Sequence, residues 1–165
     1  MKPANQEEKM LYARMGEAIC KIQVLEQALS HCLTVKLNPD VDERDANVFL
    51  SRQQSLTFGM VVKLAAKEGA YSDKIQKALE ELLAERNWLV HHAMLDSQQG
   101  NSIVVTEPIL QRIKSIASKA EKFQLILEWD LVEFAQSKGR NISKMIEVLK
   151  REKGEKSVEF QWLFS

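Results

Sequence analysis

From Ile109 onward the chain places an apolar residue at every fourth or third position: Ile113, Ile116, Ala120, Phe123, Leu127, Leu131 and Phe134. At 3.6 residues per turn, such steps keep all eight side chains on one face of an α-helix. A strand would need alternation at period two, which this stretch lacks. So long a seam is coiled-coil-like and suits a neighbour lying nearly parallel or antiparallel to it. It predicts a helix over about 107–138, capped by Thr106, with Pro108 in the first turn and Gly139 as the stop. The seam reads as core within the chain rather than as a zipper between copies.

The same arithmetic organises the rest of the chain. Met15, Ile19, Ile22, Leu25, Leu29 and Leu33 predict a first helix over 6–37, ended by Asn38-Pro39-Asp40. Residues 41–54 are charged and read as loop with a short helix. A second helix is expected over 55–67. It carries Gly59, which costs about 1 kcal/mol against alanine and implies a close neighbour. Gly69 supplies a left-handed stop. A third helix is expected from Asp73 as cap, with Gln76 at capping-box spacing, to about Asp96. A turn at Gly100 and a short strand near Ile103 to Val105 follow. A short amphipathic helix near Ile142 to Arg151 and the apolar tail "VEFQWLFS" complete the reading. The tail packs either on the helices or on a partner. The whole predicts an all-α chain: an antiparallel bundle of four main helices plus a short C-terminal helix and apolar tail. At 165 residues it is one domain, 1–165, because two ordinary domains would need more chain.

Charge narrows the function. Lys plus Arg and Asp plus Glu are 23 each. Zero net charge argues against a generally basic nucleic-acid binder, though a local basic cleft stays open. It also suits self-association. The first residues, "MKPANQEEKM", are polar, and no run of about 18 apolar residues occurs, so a cytoplasmic protein without membrane contact is expected. Cys20 and Cys32 lie twelve residues apart on the first helix, roughly 18 Å at about 1.5 Å per residue. That excludes a disulfide within the chain, and both read as small buried hydrophobes in a reducing compartment.

The stretch that carries chemistry is "ERNWLVHH", Glu85 to His92. On a wheel at about 100° per residue, Ile75, Leu79, Leu82, Leu83, Leu89, Val90 and Ala93 fall within roughly 60° of Arg86. Arg86 is therefore expected at the centre of the apolar face. A guanidinium keeps its proton, so a buried one needs acceptors or an opening onto water. Asn87 lies roughly 100° round and His91 roughly 140°. Two uses of the arginine follow from the residues themselves. Arg86 pairs with a carboxylate of the first helix, such as Glu17 or Glu26, while the histidines cover the helix end; or it opens onto a wet cleft.

Arg86-Asn87-Trp88-Leu89-Val90-His91 resembles the R-X4-6-H signature of the HEPN superfamily (higher eukaryotes and prokaryotes nucleotide-binding). The polar residue after the arginine fits, as does the place near the end of a late helix. The form "RN-x-L-x-H" is common in bacterial members. The motif covers Arg86 to His92, and the architecture about Lys9 to Phe134. The resemblance implies a metal-independent endoribonuclease of toxin or defence type. It also implies a homodimer whose two motifs share a cleft, an RNA substrate and a cognate antitoxin or regulator as partner. It assigns His91 as general base or acid, Arg86 as phosphate clamp and Asn87 as support, with His92 as backup. No cofactor is implied, and no metal, since the attacking 2′-hydroxyl belongs to the RNA. The other class of function is a non-catalytic helical module of the same fold that binds a protein or a nucleotide.

Other constellations carry less. His92 and Asp96 are four apart, but two ligands do not make a metal site. No glycine-rich phosphate loop or nucleophile elbow occurs. The run "LKREKGEK" reads as a solvated helix end. Ala84, Trp88 and Leu95 form a second apolar strip, read as packing on the far side of the third helix.

Overall fold

The computed structural model describes residues 4–40, 56–100 and 102–141, with 143, 146 and 147 beyond them. The described part is predominantly helical. It comprises α1 (Gln6–Leu37), α2 (Phe58–Lys67), α3 (Asp73–His91), the single turn α4 (Ala93–Asp96) and α5 (Glu107–Ser137). A two-stranded antiparallel hairpin, β1 (Gln98–Gln99) and β2 (Ser102–Ile103), joins α4 to α5. Expectations on residues 41–54, on most of the helix near 142–151 and on the tail lie outside the described residues.

Local chemistry explains the ends of each helix. Asn5 caps α1: its side chain accepts from the Glu8 backbone while the Glu8 carboxylate accepts from the Asn5 N–H, a reciprocal capping box. Asn38 closes it by bonding Thr34 O through both its backbone N–H and its side-chain amide. Thr57 caps α2 three residues later than expected. The cap of α3 is Ser72, whose Oγ accepts from the Ile75 N–H; Asp73 is instead the acidic first-turn residue. Gln76 therefore plays no capping role and donates to Val62 O of α2. Gly69 and Gly139 adopt φ of +58° and +71°, the left-handed stops that a Cβ would strain.

The apolar stripes meet in one core. Leu25, Leu29 and Leu33 of α1, Phe58 and Val62 of α2, Leu79 and Leu89 of α3, and Ile113, Ile116, Ala120 and Leu127 of α5 are all buried. Met15, Ile19, Ile109, Phe123 and Phe134 pack partly buried around them. Cys32 belongs to this core and donates weakly to Leu127 O; burial pushes its thiol up to about 12. Cys20 is exposed, contrary to expectation, because it sits on the outer side of α1.

The direction of the helices corrects the expected antiparallel order. Lys21 Nζ meets Glu121 Oε2 at 3.1 Å, Cys32 meets Leu127, and Lys36 Nζ meets Asp130 Oδ2 at 2.6 Å. Partners advance together, so α1 and α5 run the same way, and Arg140 then donates to Pro39 O where both helices have ended. The reason is where the second helix begins. Leu56 lies back across a hollow from Gln27 and Ser30, short of the end of α1. From there α2 runs forward, and Tyr71 arrives near the end of α1, beneath Lys36. Helix α3 returns against α2, with Gln76 beside Val62 and Leu83 beside Gly59. Helix α5 then sets out again along α1.

Gly59 is not held by a close approach. A Cβ there would lie 3.7 Å from both δ-carbons of Leu83, an ordinary contact. Gly59→Ala is therefore expected to raise stability by about 0.5–1 kcal/mol in urea unfolding, through lower entropy of the unfolded chain. A loss would mean that the Leu83 contact is tighter than this geometry. Among the described residues no helix is long and apolar enough to cross a membrane.

Candidate functional site

Helix α3 brings the candidate residues to its last two turns. Its buried residues are Ile75, Leu79, Leu82 and Leu89. Their mean direction lies roughly 25° from Arg86 on the wheel, so Arg86 points with the apolar face, between Ile75 and Leu79. Val90, about 40° beyond it on the other side, is accordingly exposed. The side chain of Arg86 keeps 31% of its surface open, and that of Glu26 on α1 keeps 27%.

These two side chains face each other, with Arg86 Nε 3.6 Å from Glu26 Oε1. Of the two carboxylates that sequence reasoning offered, geometry selects Glu26. Glu17 pairs with Arg14 and Lys21 on its own helix. The Arg86–Glu26 contact is loose for an ion pair. Burial raises the Glu26 pKa above the usual carboxylate range, and the nearby guanidinium only partly opposes this. Since folding raises this pKa, its favourable contribution to stability is full at acid pH and fades as pH rises through the elevated value. Among the described residues Arg86 is the one partner of Glu26, and the contact between them is loose.

Asn87 is exposed and accepts a hydrogen bond from Arg86 Nη1 through Oδ1 at 3.4 Å. His91 is the last residue of α3 and is exposed. His92 is also exposed, but it stands outside the helix, with φ −121° and ψ −28°, and serves as the hinge into α4. Neither imidazole has a hydrogen-bond partner among the described residues. The helix therefore brings Arg86 and Asn87 together and leaves His91 on another side of the same rod.

The expected second strip resolves differently. Ala84 and Leu95 are exposed, and Trp88 packs against the core. Arg112 of α5 lies 3.8 Å above the Trp88 ring centroid and donates to Glu85 Oε2 at 3.0 Å. Trp88 Nε1 donates to Asp96 Oδ2 at 2.8 Å. This clasp uses Asp96 and fixes the break at His92. Among the described residues no group of three or more potential metal ligands occurs.

A hollow opens beside Glu26. It has a volume of about 460 Å³ and is lined by Gln23, Glu26, Gln27, Ser30 and Leu56. The four α1 residues are spaced i, i+3, i+4, i+7 and so form one stripe along the helix. Sequence reasoning named Glu26 only as a partner for Arg86 and passed over the glutamines, although the polar spacing was legible. Comparison with models of protein families, with curated proteins and with solved structures finds no match. The likeness to HEPN proteins thus rests on Arg86 to His92.

Proposed function

We propose that the chain is a HEPN-like, metal-independent endoribonuclease of toxin or defence type, acting in the cytoplasm as a homodimer. In this reading α1, α2, α3 and α5 are the main helices of a bundle. One observation carries the reading: the Arg86 guanidinium is not sealed into the core but keeps 31% of its side chain open, with Asn87 bonded to it and Glu26, its facing carboxylate, on the wall of a polar hollow. Arg86 holds the phosphoryl oxygens, where its fork of donors matches an anion. His91 takes the proton of the ribose 2′-hydroxyl as that oxygen attacks phosphorus and the 5′-oxygen leaves. The roughly 140° between Arg86 and His91 on one helix favours a site completed by His91 of a second copy across a twofold axis. His92 is the weaker candidate because it lies off the helix. A cognate antitoxin or regulator would then act by covering this face.

The test is RNA incubated with the purified chain in excess EDTA. The expected products end in 2′,3′-cyclic phosphate and 5′-hydroxyl, since the nucleophile is the RNA's own 2′-oxygen. Absence of products, or cleavage abolished by EDTA, rejects the reading.

A second reading has its own support. Arg86 already finds a carboxylate in its own chain, and Val90 and Leu95 expose apolar surface near the motif. These features favour a non-catalytic helical module that binds a protein or a nucleotide.

A further inference from the structure

We infer that the hollow lined by Glu26 is a base-binding subsite selective for guanine, with Glu26 as its specificity-determining residue. The inference rests on the phosphate-directed reading of Arg86 and extends it from the phosphate to the base.

The argument begins with unmet hydrogen-bonding capacity. Glu26 Oε1 is 3.6 Å from Arg86, and Oε2 has no hydrogen-bond partner among the described residues. The carboxylate is half-buried and keeps 27% of its side chain open, so a ligand in the hollow can reach it. A half-buried anion short of donors is stabilised by a ligand that brings two of them side by side. Among the four RNA bases, guanine alone presents adjacent donors, N1–H and the N2 amino group, on its pairing edge. Adenine turns the N1 lone pair toward a carboxylate. Cytosine flanks its amino group with the N3 lone pair, and uracil flanks its single N–H with two carbonyls. A carboxylate therefore accepts two bonds from guanine and meets a repelling acceptor on each of the others.

The remaining walls fit the same ligand. The side-chain amides of Gln23 and Gln27 stand on either side of Glu26 along the α1 stripe and can donate to guanine O6 and N7. Leu56 supplies an apolar surface for the face of the ring. The volume, about 460 Å³, falls within the roughly 300–1,000 Å³ of small-molecule sites. Arg86 adjoins the carboxylate and retains donors beyond those turned to Glu26 and Asn87. One nucleotide can thus place its base on Glu26 and its phosphate on Arg86. Reading an unpaired base by its Watson–Crick edge is the usual route to sequence preference in RNA.

The full chain is titrated with 5′-GMP, 5′-AMP, 5′-CMP and 5′-UMP by calorimetry. 5′-GMP is expected to bind about ten-fold tighter than the others, in keeping with one bidentate pair. Glu26→Gln is expected to abolish that preference and to strengthen 5′-AMP, because an amide offers one acceptor and one donor, the complement of adenine's pairing edge. Gln27→Ala, which leaves the Arg86–Glu26 contact in place, is expected to weaken 5′-GMP several-fold. Arg86→Ala weakens all four. Circular dichroism establishes that each variant is folded. Equal affinity for the four nucleotides, no binding at millimolar concentration, or a preference that survives Glu26→Gln overturns the inference. EDTA-resistant cleavage of RNA without such a preference removes the subsite and leaves the ribonuclease. A guanine preference in a chain that cleaves nothing removes the ribonuclease and leaves the subsite.

Discussion

Replacing Arg86 by alanine is expected to lower EDTA-resistant RNA cleavage by about 10²–10³-fold, the usual cost of removing one donor aimed at developing charge. Arg86→Lys is expected to recover little, since an ammonium cannot reproduce the planar fork. His91→Ala is expected to cost about 10²–10⁴-fold, the usual contribution of a positioned proton acceptor. His92→Ala is expected to stay within a few-fold of the parent chain. The two losses separate in a mixing experiment. If each site takes Arg86 from one copy and His91 from the other, a heterodimer of Arg86→Ala and His91→Ala chains has one intact site. It then recovers about half the parental rate. Two inactive variants that stay inactive together would place both groups in one copy. Unchanged cleavage in either single variant would end the assignment of that residue.

The largest effect on stability is expected away from the motif. Lys36 and Asp130 meet at 2.6 Å with only 12% and 18% of their side chains exposed, and the ammonium also lies 4.3 Å from the Tyr71 ring centroid. This contact ties the end of α1 to α5 and to the segment entering α3. Asp130→Ala strands a cation where little water reaches it, at a cost of about 3 kcal/mol in urea unfolding. Replacing the pair together, as Lys36→Met with Asp130→Leu, is expected to restore most of the loss, because the desolvation penalty goes with the charges. A loss under about 0.5 kcal/mol in Asp130→Ala would put the pair among ordinary surface bridges.

Much of the fold was legible because helical periodicity is local. The steps from Ile109 to Phe134 predict one continuous helix, and Asn38-Pro39-Asp40 and Gly139 mark stops by their own backbone chemistry. The relative direction of α1 and α5 was not legible. It depends on where the chain re-enters across from Gln27, and no periodicity encodes that. The cap of α3 was misplaced by one residue because Ser72 and Asp73 are both competent caps, and the choice follows from backbone angles. A wheel likewise tells which way Arg86 points but not where the core ends. Val90 therefore appeared buried in projection and is exposed in space. At the site, Arg86 and its carboxylate partner were within reach of sequence reasoning. The glutamines of α1 were not, because a polar stripe becomes a cavity wall only when another element stands across from it.

The break of α3 between His91 and His92 has a consequence of its own. Two identical letters, adjacent in the chain, end up with different tethers. One rides on a rigid rod and inherits its heading. The other is the pivot of a corner pinned by the Trp88–Asp96 bond. Loosening that pin would swing the second ring and leave the first where it is, so the pair is not a duplicate set.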